Sequence, residues 1–199
     1  DNDNEIEFVV ASKNKHCYII DQYGNIELDY ETDQYLMATP SIANLDDDNY
    51  LEIVMYGYAT SGDIYAINHN GSTVNNFPVQ INEKILKGGA IYDIDNNGRD
   101  DIVVATENDE MIAIIYDDGT INNLFTSTDK FKSVPSIIDY NGEIVITAGN
   151  EGGHFYGIKL DGSLAFDIIT GNSVKSSAGF IELENTLGIF FGSEDGNLY

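Results

Sequence analysis

Apolar residues in this chain come in short runs, and Gly, Asn or Asp closes each one. Residues 40–45 (PSIANL), 53–58 (IVMYGY) and 63–71 (DIYAINHNG) set the pattern. It returns at 101–107 (DIVVATE) and 110–119 (EMIAIIYDDG), then at 135–140 (PSIIDY), 143–149 (EIVITAG) and 154–162 (HFYGIKLDG). Runs of about four to eight residues, rich in Ile, Val, Tyr and Phe and bounded by turn formers, predict β-strands. No stretch of a dozen residues keeps a 3.6-residue period, so almost no helix is expected.

The runs are organised by a repeat. DDDNYLEIVM from Asp46 aligns with DNNGRDDIVV from Asp95 and with DNDNEIEFVV from Asp1. Weaker copies begin at Asn141 (NGEIVITAG) and Glu184 (ENTLGIFFG). Turn glycines at Gly24, Gly71, Gly119 and Gly162 keep the same phase. Four short strands in a period of about 45 residues is the signature of a β-propeller blade. The expected fold is therefore all-β, with blades of four antiparallel strands and about four to four and a half repeats in one domain, 1–199. In the cleanest blade strand A is Pro40–Leu45, B is Ile53–Tyr58, C is Ile64–Asn68 and D is Ser72–Val79. Each strand is too short to stand alone, so the core is expected where strands A, B and C pack blade on blade. The strands run B-C-D, three full A-B-C-D sets, then A-B-C, which reads as part of a larger propeller. The chain opens at Asp1 without Met or leader, so a processed or excised chain is expected.

Chemistry concentrates in the turn between strands A and B. In the third repeat Asp93, Asp95 and Asn97 occupy alternate positions, Gly98 permits a sharp turn, Arg99 offers its carbonyl, and Asp101 opens strand B. Hard oxygen ligands converging from a curled loop suit Ca²⁺ better than the smaller, more demanding Mg²⁺. The second repeat supplies Asn44, Asp46, Asp48, the Tyr50 carbonyl and Glu52, with Asn49 in the glycine position and able to take φ > 0. The first supplies Asp1, Asp3, the Glu5 carbonyl and Glu7. Two structural Ca²⁺ sites and a partial third are expected. The competing reading is a set of metal-free Asx turns. In the fourth repeat Asp139 is followed at once by Asn141-Gly142, which predicts a tight hairpin with no cage. The fifth is equally short.

These repeats resemble the FG-GAP/VCBS family, which includes the integrin alpha-subunit propeller and many secreted bacterial proteins. The matching words are PSIANLDDDNYLEIV, YDIDNNGRDDIVV, GDIYAINHNGS with Asn76-Phe77-Pro78 behind it, and GSEDGNLY. The resemblance spans essentially the whole chain and implies structural Ca²⁺ between strands A and B. Its loops match closely in repeats two and three, and repeats four and five depart from the pattern.

Composition narrows the partners. Nine Lys+Arg against 34 Asp+Glu give a net charge of −25. Such a chain is repelled by nucleic acid and by anionic membrane surfaces. No apolar run approaches the roughly 20 residues of a membrane helix. Apolar content of 42% still supports a packed core. A single cysteine, Cys17, forms no internal disulfide, and its strand-C phase, shared with Ile64, Ile112, Phe155 and Leu198, marks it as a core residue. Tyr18, Tyr65, Tyr156 and Tyr199 form a structural stripe in strand C. His16, His69 and His154 lack the Cys/His partners of a zinc site.

Seven of the nine basic residues, Lys13, Lys15, Lys84, Lys87, Lys130, Lys132 and Lys175, fall in B–C or D–A connections. They could make an anionic-ligand face opposite the calcium loops, or simply balance the acids beside them. The expected function is a non-catalytic, calcium-binding module of a secreted or cell-surface protein that binds protein or polysaccharide. Two alternatives are a scaffold of a lyase-like polysaccharide-active enzyme and a subunit of an extracellular filament. Further copies, or the remainder of a propeller, are the expected structural partners.

Overall fold

The computed structural model describes residues 5–184 and 186–199. Every regular element in them is a β-strand. The first sheet has the order β1-β2-β3, built from Phe8–Ala11, His16–Ile20 and Ile26–Glu31. The second, β4-β5-β6-β7, comprises Ser41–Ala43, Glu52–Tyr56, Asp63–Ile67 and Val79–Gln80. The third, β8-β9-β10-β11, comprises Gly89–Tyr92, Asp101–Ala105, Met111–Ile115 and Ile121–Thr126. The fourth, β12-β13-β14-β15, comprises Ser136–Tyr140, Glu143–Gly149, His154–Lys159 and Leu164–Ile169. A last pair, β16 (Gly179–Leu183) and β17 (Thr186–Phe190), is followed by a lone bridge between Gly192 and Leu198. Sequence neighbours are sheet neighbours throughout, as in propeller blades.

The two middle strands carry the core. All five side chains of β5 and of β10 are buried, as are four of five in β6 and β9. Strands covered on both faces read as continuous apolar runs rather than alternating ones, which is what residues 53–56 and 112–115 do. Strand A is only half-buried, against expectation. It is the edge strand of each sheet that contains one, with a hydrogen-bonded neighbour on one side only, and Ile42 of β4 remains exposed. Strand D is the other edge and has no buried residue in β3, β11 or β15.

Strand D of the second blade is far shorter than Ser72–Val79. Thr73 makes one bridge to Ile67, the Phe77 N–H then turns back to the Val74 carbonyl, and Asn76 sits at φ +67°. Pro78 has no N–H to give the ladder, so pairing resumes only at Val79.

The chain divides into two compact units, residues 1–102 with 115–121, and residues 103–114 with 122–199. The first unit has a cluster of Cys17, Ile19, Leu36, Ile53, Met55, Tyr65 and Ile67, with Val9, Ala11, Leu28 and Tyr30 packed on it. In the second, Phe155 stacks on Phe191 at 3.8 Å between centroids, with Val174 and Phe166 alongside. Cys17, Ile64, Ile112 and Phe155 are buried at their shared phase, whereas Leu198 is exposed, held by its single bridge.

The turn glycines behave as the repeat requires. Gly24, Gly71, Gly119 and Gly162 all lie at φ between +80° and +89°. Between β12 and β13, Asn141 (φ +56°) and Gly142 (φ +78°) form a two-residue hairpin under the Tyr140–Glu143 pair.

Candidate metal centre

The A–B loops of the second and third blades, both in the first unit, are built on one plan. In loop two the Asp48 N–H donates to Asp46 Oδ1 at 2.9 Å, and the Tyr50 N–H to Asp48 Oδ1 at 2.6 Å. In loop three the Asn97 N–H donates to Asp95 Oδ1 at 3.1 Å, and the Arg99 N–H to Asn97 Oδ1 at 2.7 Å. These are successive Asx turns, in which each acidic or amide side chain curls the backbone two residues on. Asp93 adds two bonds, accepting from the N–H groups of Asn97 and Gly98 at 3.0 and 2.9 Å. Gly98 is at φ +91°. Asn49 does not take that left-handed conformation. Loop two closes through its Asx bonds without it.

The ninth residue is the decisive one in each loop. Glu52 and Asp101 are fully buried. Glu52 Oε2 accepts the Leu45 N–H at 2.6 Å, and Asp101 Oδ2 accepts the Ile94 N–H at 2.9 Å, the same bond at the same position. The result is two clusters, Asp46–Asp48–Glu52 and Asp93–Asp95–Asp101, each with carboxylate oxygens within 4.8 Å of one another. Either cluster could hold a metal ion.

In both clusters burial and neighbouring carboxylates outweigh the backbone N–H groups that favour the charged form. Burial pushes the Asp101 carboxyl up to about 6, and the nearby Asp95 and Asp117 charges push the same way. Burial likewise raises Glu52, helped by Asp46 and Asp48. Glu52 Oε1 is buried and accepts no hydrogen bond. A buried carboxylate oxygen without a donor costs several kcal/mol unless a cation faces it. The residues therefore fit a hard divalent ion.

Not every expected ligand is placed alike. Asn44 turns its amide nitrogen to the Gly98 carbonyl at 3.2 Å, away from a purely local role in loop two. Glu7 is half-buried and Glu5 exposed, while Asp1 and Asp3 lie outside the described residues. In the fourth repeat Asp139 caps the hairpin by accepting the Gly142 N–H at 2.9 Å.

Sequence reasoning passed over Asp117 and Asp100. Asp117, in the C–D turn of the third blade, is 8% exposed. It faces Arg99 Nε at 3.1 Å and accepts from Asn97 Nδ2 at 2.9 Å, while its own N–H reaches Asp101 Oδ1 at 3.3 Å. In the sequence Asp117 stands 18 residues after Arg99, the chain's single arginine, so no local pattern marks the pair. Asp95, Asn97, Arg99, Asp117 and Thr120 line a recess of about 420 Å³ that opens this loop to solvent.

Four of the seven lysines in the B–C and D–A connections have a defined side-chain partner. Lys15 lies 5.7 Å from the centre of the Tyr35 ring and Lys84 5.4 Å from that of Tyr58. Lys132 sits 3.2 Å from Glu107 and 3.8 Å from Glu151, and Lys175 is 2.6 Å from Glu194. Lys13, Lys87 and Lys130 stand in the same set of connections. The histidines pair within their own blades. His16 Nδ1 is 2.5 Å from Asp29, and His154 Nδ1 is 2.9 Å from Asp167.

No protein-family profile and no curated protein matches the sequence. Solved structures do match in fold. BamB from Moraxella catarrhalis superposes with a TM-score of 0.68 at 14% identity, over 96% of this chain and 57% of that one. BBS1N, solved in complex with ARL6DN, gives 0.70 at 14% identity over 96% and 59%. A Bacteroides caccae protein of unknown function gives 0.53 at 13% identity over 96% and 71%. This chain thus spans a little under three-fifths of the first two, and its blades are those of a β-propeller, about four of them.

Proposed function

We propose that the chain is a non-catalytic, calcium-stabilised propeller module of a secreted or cell-surface protein, related to the FG-GAP/VCBS repeats. One observation carries the reading. Two loops a full repeat apart each bury a ninth-position carboxylate, Glu52 and Asp101, against the same backbone N–H and beside two further carboxylates. Oxygen-only donors on a flexible loop suit Ca²⁺. Asp46, Asp48 and Glu52 would hold one ion, and Asp93, Asp95 and Asp101 the other. The Tyr50 and Arg99 carbonyls, with the Asn44 and Asn97 side chains, complete the donor set that the motif offers.

Each ion would act on stability, offsetting clustered negative charge in a chain of net charge −25. The work of the module is binding protein or polysaccharide. The resemblance to integrin-type repeats supports this. So does BBS1N, whose similar fold was captured with a protein partner.

Calorimetric titration of the metal-stripped chain with Ca²⁺, paired with thermal unfolding, tests the reading. Two binding events and a raised midpoint are expected. Ligand at about 100 times its Kd adds about 2.7 kcal/mol to the folded state. No binding heat and an unchanged midpoint at millimolar Ca²⁺ overturn it.

A further inference from the structure

We propose that in the second and third blades the C–D turn clamps the seventh residue of the A–B loop, and that these clamps set the cation affinity of the two loops. The proposal rests on the calcium reading above and adds two positioning pairs to it, Arg99–Asp117 and Tyr50–His69.

The two pairs occupy equivalent places. His69 and Asp117 both stand two residues before the turn glycine, Gly71 or Gly119. Tyr50 and Arg99 both stand seventh in their loops. In the second blade the Tyr50 and His69 rings stack at 4.0 Å between centroids, 30° apart. In the third, Arg99 Nε lies 3.1 Å from Asp117 Oδ2, and that carboxylate is nearly buried. One blade uses aromatic stacking and the other an ion pair to join the same two positions. Neither contact depends on an aligned hydrogen bond of the clamping atoms, since Arg99 Nε and His69 Nδ1 are buried without one.

The seventh residue is the one whose carbonyl the motif offers to the ion. Its N–H is already bonded to the fifth side chain in both loops, Tyr50 to Asp48 and Arg99 to Asn97. Its side chain is held by the C–D turn. With both ends fixed, the intervening peptide is ordered before the ion arrives, so binding bears less ordering cost. Asp117 extends this by also accepting from Asn97 Nδ2. Outer partners of this kind typically change metal affinity about 10–100-fold when removed.

The sign of one substitution separates positioning from simple electrostatics. Arg99→Gln removes a positive charge beside the third-blade cluster, which on charge alone would tighten Ca²⁺. The clamp requires the opposite, a loss of about tenfold. The experiment is calorimetric titration of the whole chain with Ca²⁺, in a background where Asp46→Asn and Asp48→Asn silence loop two. The converse background, Asp93→Asn with Asp95→Asn, isolates loop two. There His69→Ala should weaken Ca²⁺ about tenfold and His69→Phe should restore it, because stacking needs no ring nitrogen.

Far-UV circular dichroism of each metal-free variant confirms folding, and Arg99→Met, equally uncharged and unable to pair with Asp117, replaces Arg99→Gln if the latter does not fold. Unchanged or tighter binding in the Arg99 variant, or His69→Phe as weak as His69→Ala, overturns the clamp. Absence of Ca²⁺ binding in the unmodified chain overturns the calcium reading instead, so the two failures are distinct.

Discussion

Asp100 Oδ2 accepts the backbone N–H of Asn44 at 2.8 Å, and the Asp100 N–H returns the bond to the Asn44 carbonyl at 2.7 Å. The pair bridges consecutive A–B loops inside the first unit, and the Asn44 amide adds a third bond to the Gly98 carbonyl at 3.2 Å. Asp100 is therefore a strut between the two acidic loops, separate from the cluster its neighbour Asp101 joins. Asp100→Ala should lower stability by about 1–2 kcal/mol, with or without Ca²⁺, since a part-buried N–H loses a charged acceptor. Asp100→Asn should recover most of it, because its amide oxygen can still accept. Thermal unfolding of the three proteins checks this. Equal midpoints for Ala and wild type would remove the strut.

Asp101 makes the metal-free chain acid-tolerant. Its carboxyl, raised chiefly by burial to about 6, titrates well above the roughly 3.9 of an unfolded aspartate. A group with a raised folded pKa holds its proton more tightly when folded. Between about pH 4 and pH 6 the folded state carries the extra proton, so stability falls as pH rises through that window. For this one group the loss is on the order of 3 kcal/mol. Glu52 shifts in the same direction. Bound Ca²⁺ favours the ionised form and should flatten the trend. Midpoints measured at pH 4.5 and 7, metal-free and with Ca²⁺, test the sign, and Asp101→Asn should remove this residue's share.

What could be read beforehand follows from which interactions are local. Strands B and C are legible because burial on both faces makes residues 53–56 and 112–115 continuous apolar runs. The turns are legible because a left-handed backbone calls for Gly, as at Gly24, Gly71, Gly119 and Gly162. The loop clusters are legible because Asx turns act over two residues, from Asp46 to Asp48 and from Asp95 to Asn97. The partners of those loops are not local. Asp117 meets Asn97 across 20 residues and Asp100 meets Asn44 across 56, and no short-range pattern marks either. The shortened β7 was hidden for a different reason. Ser72-Thr-Val reads as strand, and only the turn at Phe77 onto Val74, with Pro78 behind it, interrupts the pairing.

Cys17 should be chemically silent in the folded chain. It is 1% exposed within the first-unit core, and burial pushes its thiol up to about 12. The thiolate is the reacting species, so both access and ionisation oppose reaction. A thiol reagent at pH 8 should label the native protein slowly and the guanidinium-unfolded protein at the rate of a free thiol. Fast native labelling would show that the β1–β2–β3 sheet opens at low cost.

Phe191 tests whether the end of the chain belongs to the core of the second unit. It is 2% exposed and stacks on the fully buried Phe155 at 3.8 Å, with the Tyr199 ring also stacked on it at 5.5 Å. Its N–H and carbonyl also exchange bonds with Tyr199 at 3.2 and 3.0 Å. Removing the ring leaves a cavity walled by Phe155 and Val174, which the surrounding strands can close only in part. Phe191→Ala should therefore cost about 3–5 kcal/mol, while Phe191→Leu, which keeps much of the volume, should cost less. Because Phe191 touches neither acidic loop, Ca²⁺ affinity measured well below the unfolding midpoint should stay as in the parent chain. Chemical denaturation reads the first expectation and calorimetry the second. A cost below about 1 kcal/mol would mean that Phe155 repacks without its partner, and that the bridge at Gly192–Leu198 contributes little to this core.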